Sequence, residues 1–98
     1  MTEARMPAST PQRLASFELG QHLVELTEDA DSTLTLWLDG CERKRRAAGE
    51  RGTYLWTNVE LPFEDHHLVE VRRAAGTNAA VEILVNGNLQ TRVEARAA

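Results

Sequence analysis

Apolar residues recur at every second position through most of this chain, the pattern of β-strands with one buried face. Val24 and Leu26 share one face of a strand entered at His22, and Leu34, Leu36 and Leu38 share one face of the next. The pattern returns with Val69 and Val71, then Val81, Ile83 and Val85. These side chains form the predicted core, each worth about 1.5–3 kcal/mol when fully buried. Asp39-Gly40 and Asn86-Gly87 close the two sets. Such dipeptides favour two-residue type I′ turns, in which both central residues need positive φ. The chain is therefore expected to double back twice more, along Cys41-Glu42-Arg43-Lys44 and along residues 88–94. A further strand runs from Tyr54 to Leu61, with Leu55, Val59 and Leu61 on one face and Tyr54, Trp56 and Asn58 on the other. Pro62 ends it or marks an edge. Residues 47–49 read as a loop, since Gly49 and Gly52 cut a helical turn short.

Residues 17 to 40 are restated by residues 63 to 87. Phe17-Glu18, His22-Leu23-Val24-Glu25-Leu26 and Leu34 to Gly40 answer to Phe63-Glu64, His67-Leu68-Val69-Glu70-Val71 and Val81 to Gly87. The expected fold is all-β, an antiparallel β-sandwich of six to eight short strands built from two pseudo-symmetric hairpin repeats. Residues 1–14, with two prolines and little periodicity, are expected to form a disordered tail ahead of one domain over 15–98. A body of roughly 80 residues buries about 60% of its unfolded surface, which leaves no room for a deep substrate cleft beside the core.

Gly20-Gln21-His22 followed by Val24-Glu25, Asp39-Gly40 with Glu42 and Arg43, the stretch from Trp56 to Phe63, and Asn86-Gly87 together resemble the β-sandwich domain of the Fas apoptosis inhibitory molecule family. The likeness spans about residues 17–92. The family's Gly-Thr-Thr-Ser-Gly stretch is replaced here by Glu28-Asp29-Ala30-Asp31-Ser32. What the resemblance implies is an eight-stranded, non-enzymatic interaction domain.

Charge and chemistry narrow the function classes. The chain carries a net charge of −4, yet residues 41–52 carry +3 and the remainder −7. This balance argues against a general nucleic-acid binder and leaves Arg43, Lys44, Arg45 and Arg46 as candidate phosphate contacts. Alternation sends these side chains to both faces of a returning strand, where basic residues also guard an edge against aggregation. A single cysteine, no secretory segment and no apolar run of roughly 20 residues lead to the expectation of a soluble cytoplasmic protein without membrane contact.

No nucleophile motif, phosphate loop or acidic dyad is present, so no catalytic residue and no enzyme activity are expected. His66-His67 point to opposite faces of a strand, and Cys41 sits just past a tight turn, so no metal or cofactor is expected either. Trp37, Tyr54 and Trp56 lie opposite the core stripes. They are the candidate interaction surface for a protein partner or self-association, unless long basic side chains cover the rings. The alternative is a nucleic-acid contact made by residues 43–46 with the same aromatics.

Overall fold

The alternating segments form strands in a computed structural model of the protein, which describes residues 12–63, 65–75 and 80–94. In chain order these are β1 (Gln12–Leu19), β2 (His22–Glu28), β3 (Leu34–Leu38), β4 (Cys41–Arg46), β5 (Thr53–Leu61), β6 (Asp65–Arg73), β7 (Val81–Val85) and β8 (Asn88–Val93). They make two antiparallel sheets, each in sequence order, β1-β2-β3-β4 and β5-β6-β7-β8. Among the described residues there is no helix, and hence none long and apolar enough to cross a membrane.

One hydrophobic cluster draws on both sheets. Val24, Leu26, Leu34 and Leu36 come from the first and Val69, Val71, Val81 and Ile83 from the second, while Leu38 and Val85 pack half-buried against them. Leu55 and Val59 complete the cluster from β5, the most regular strand, where Thr53, Leu55, Thr57 and Val59 are buried and Tyr54, Trp56, Asn58 and Glu60 are exposed.

The two turns have nearly the same backbone. Asp39 and Gly40 have φ of 52° and 81°, and Asn86 and Gly87 have 52° and 82°. This is the left-handed pair that a type I′ turn requires. The turns join Leu38 to Cys41 and Val85 to Asn88. A few residues on, each sheet has a register shift, between Leu36 and Trp37 in one and between Ile83 and Leu84 in the other, which leaves Arg43 and Gln90 unmatched. Each bulge re-aims the end of its outer strand.

Two expectations need correction. Gln12, Arg13 and Leu14 belong to β1 and not to a tail; residues 1–11 lie outside the described residues. A register shift between Arg13 and Ala15 breaks the period-two pattern that would have announced this strand. The correspondence of Phe17 with Phe63 also fails. Phe17 pairs with Val24 and packs on the core, whereas Phe63 lies in the β5–β6 turn with φ of 67° and is fully exposed. The strand placed like β1 is β5, where Thr57 pairs with Val69. Glu64 lies outside the described residues.

Polar contacts tie the sheets together. Arg73 of β6 donates from Nη1 to Glu28 Oε2 at 2.6 Å and from Nη2 to the Ser32 carbonyl at 2.7 Å. The His22 Nε2 atom meets the Glu60 carbonyl at 3.1 Å, and Arg43 Nη2 donates to the Asn58 carbonyl at 3.2 Å.

Candidate interaction face

Strand register sorts the outward side chains of the second sheet into rows. Trp56, Glu70, Leu84 and Leu89 are successive cross-strand partners on β5, β6, β7 and β8. Tyr54, Arg72, Glu82 and Arg92 form the next row. Tyr54 and Trp56 are each 43% exposed and Leu89 is 57% exposed, so three large side chains of these rows meet solvent. Leu84, at 7% exposure, lies between Glu70 and Leu89 in its row. The Tyr54 hydroxyl donates to Glu70 Oε2 at 2.6 Å, and this hydrogen bond to a carboxylate pushes the phenol upward from its ordinary value of 10.0.

Trp37 stands apart from them. It is on the first sheet, in the row Ser16, Glu25, Trp37 and Glu42, and its indole Nε1 donates to Thr27 Oγ1 at 2.9 Å. That bond satisfies the only polar atom of the ring. The ring is half-buried, and Thr35, two residues back on the same face, is 1% exposed. The structure thus brings Tyr54 and Trp56 side by side on β5 and places Trp37 on the other sheet.

All residues of β4 are exposed, Arg43, Lys44, Arg45 and Arg46 included. Three of these four are engaged. Arg43 holds the Asn58 carbonyl, Arg45 lies 3.7 Å from Glu42, and the Lys44 ammonium sits 5.0 Å from the centre of the Trp56 ring. A basic side chain does cover an aromatic ring, as a cation–π contact, and it comes from Lys44.

The histidines serve the strand entries. His22 Nδ1 donates to Asp39 Oδ2 at 2.6 Å, while Asp39 Oδ1 accepts the Leu23 N–H at 2.8 Å. Hydrogen bonding to Asp39 raises the His22 imidazole above 6.5, helped by the Glu60 carbonyl. The Leu23 N–H and then His22 hold the Asp39 carboxyl below 3.8. In the second sheet His67 meets Asn86 Nδ2 at 2.8 Å through Nδ1 and Asp65 Oδ2 at 2.9 Å through Nε2. Among the described residues no group of three or more His, Cys, Asp and Glu side chains is placed to hold a metal ion, and Cys41 is exposed.

The sequence reading missed Leu84 and Leu89 as companions of Trp56, and Arg72 and Arg92 as companions of Tyr54. Alternation puts Arg72, Leu84 and Arg92 on outward faces, but it gives Leu89 the parity of core-packed Val93; the bulge at Gln90 turns Leu89 outward, and only the register of four strands shows which residues share rows. No protein-family model matches the chain, and neither does any curated protein or solved structure.

Proposed function

We propose that this chain is a small non-enzymatic binding or assembly module of the cytoplasm, and that it takes a protein partner on the outer face of the β5–β8 sheet. We further propose that the two sheets form a β-sandwich of two related four-strand units, as in the Fas apoptosis inhibitory molecule domain that the chain resembles. The shared core and the two near-identical turns support this architecture. The observation that carries the functional reading is the contrast in exposure between the outer faces: Trp37 is half-buried, whereas Tyr54, Trp56 and Leu89 present large side chains to solvent in adjacent rows, even with the Tyr54 hydroxyl on Glu70 and Lys44 over the Trp56 ring. Exposed aromatic and aliphatic side chains gathered on one face are what a protein interface uses as anchors.

The nucleic-acid alternative has the full exposure of β4 in its favour. Against it, Lys44 already occupies the Trp56 ring on which a base would stack, and Arg43 and Arg45 have partners within the chain. Co-purification from the native cells tests the choice, with wild type beside a Trp56→Ala/Leu89→Glu double variant. A protein recovered by wild type and lost by the variant supports the reading. Equal recovery by both, or salt-reversible amide shifts at residues 42–56 on adding single-stranded RNA, overturns it.

A further inference from the structure

The end of the second sheet holds a shallow cleft of about 640 Å³ whose rim includes Arg51, Arg72, Arg73 and Arg92 around Tyr54. These residues come from three separate stretches, 51–54, 72–73 and 92, which strand pairing brings together. Gly52 makes the meeting possible. Its φ of +106° belongs to glycine, and a Cβ there would come within 2.6 Å of the Arg73 carbonyl oxygen, so no larger residue lets the entry to β5 pass so close to the end of β6.

The four guanidinium groups are not equally available. Arg73 is committed to Glu28 and the Ser32 carbonyl, with a side chain 9% exposed. Arg92 shares its charge with Glu94 at 2.9 Å and Glu82 at 3.6 Å. Arg51 and Arg72 form no ion pair among the described residues, and both are exposed. The one acidic residue in the lining, Glu82, is the cross-strand neighbour of Arg72 and is already drawn toward Arg92.

We propose that Arg51 and Arg72, with Arg92 beside them, form an anion-binding site that takes the carboxylates of an acidic segment of a protein partner. This rests on the reading of the β5–β8 face as a protein interface and adds the chemistry of what binds there. Guanidinium groups pair with carboxylates through two parallel hydrogen bonds. The Tyr54–Arg72–Glu82–Arg92 row lies directly beside the Trp56–Glu70–Leu84–Leu89 row. An extended segment alternating acidic and apolar side chains matches the two rows together. A continuous phosphate backbone matches them less well, because Glu70 and Glu82 stand in its path.

Amide NMR of the full labelled chain tests this with four probes: a capped hexapeptide alternating aspartate and leucine, its asparagine counterpart, inorganic phosphate, and oligouridylate. The aspartate peptide is expected to shift the amides at 51–54, 72 and 92, and to bind at least tenfold more weakly to Arg72→Gln and to Arg51→Gln. The asparagine peptide is expected to lose those shifts and to retain only those at 56, 84 and 89. Equal binding of both peptides, or wild-type affinity in both variants, overturns the arginine site while leaving the protein-interface reading standing. Loss of the shifts at 56, 84 and 89 with either peptide, while shifts at 51 and 72 persist, counts against the interface and not against the anion site. Phosphate or oligouridylate binding more tightly than the aspartate peptide overturns the assignment to carboxylates.

Discussion

The turn of the first sheet and the turn of the second share a backbone and differ in charge. Asp39 and Asn86 both have φ of 52°, and each accepts a backbone N–H on Oδ1, from Leu23 at 2.8 Å and from Leu68 at 2.9 Å. Each also donates its own N–H to that same residue's carbonyl at 2.8 Å. The second side-chain atom separates them. A carboxylate oxygen can only accept, so His22, facing Asp39 on one side and the Glu60 carbonyl on the other, makes both bonds only with two ring protons. Asn86 donates from Nδ2, so His67 accepts there and needs one proton for its bond to Asp65. A requirement for positive φ fixes the turn, yet it leaves open whether the strand entry beside it carries a charge reaching the other sheet.

The comparison breaks most visibly in the core. Leu36→Ala and Ile83→Ala remove side chains of zero exposure from matching strands, and each is expected to cost about 2–5 kcal/mol in urea denaturation. A large loss in one sheet alone would show that the two do not share a cooperative unit. Next come the outer faces. Trp37→Ala, which removes a half-buried ring and leaves Thr27 without its donor, should cost about 2 kcal/mol. Trp56→Ala gives up an exposed ring with its Lys44 contact and should cost at most about 1 kcal/mol. Equal losses would erase the distinction between a closed face and an open one.

The turns stand at a similar level to Trp56. Gly40→Ala and Gly87→Ala meet no atom within 4 Å, so each should cost only the left-handed strain of about 1 kcal/mol. Unequal costs would reveal strain that matching φ values conceal. The finest test is Asp39→Asn, which gives the first turn the side chain of the second. The raised His22 value makes its contribution to stability complete below about 6.5 and lost as pH rises through the folded value. The lowered Asp39 value makes its contribution complete above about 3.8 and lost as pH falls through the folded value. Wild type should therefore lose more thermal stability than the variant between pH 5.5 and pH 8.5. Identical losses would show that Asp39 does not tie the His22 proton to folding.

Much of this fold is legible in the sequence, because alternation and turn chemistry are local. Asp39-Gly40 and Asn86-Gly87 announce their turns, and the core stripes of β2, β3, β6 and β7 follow from period two. β1 is hidden where a bulge at Leu14 interrupts that period. Phe63 looks like a partner of Phe17 only until register shows one in a strand and the other at a turn tip. The candidate face is harder to read, since Arg51, Arg72 and Arg92 come from separate elements and become neighbours through pairing. Trp37 looks equivalent to Trp56 by alternation, and the bond to Thr27 that distinguishes it depends on two strands meeting in one register.

The ties from His22 to Glu60 and from Glu28 to Arg73 stand at opposite ends of β2, about 20 Å apart at the usual rise per residue. Such a pair of rivets gives the molecule directional mechanics. Force along β2 is expected to load both ties at once and to resist sliding of one sheet over the other, whereas a pull that peels β3 from β2 is expected to load the ladder one hydrogen bond at a time, with the bonds from Arg73 to Ser32 and from His22 to Asp39 as the stops at its two ends. A molecule so fastened is expected to yield to peeling at lower force than to shear.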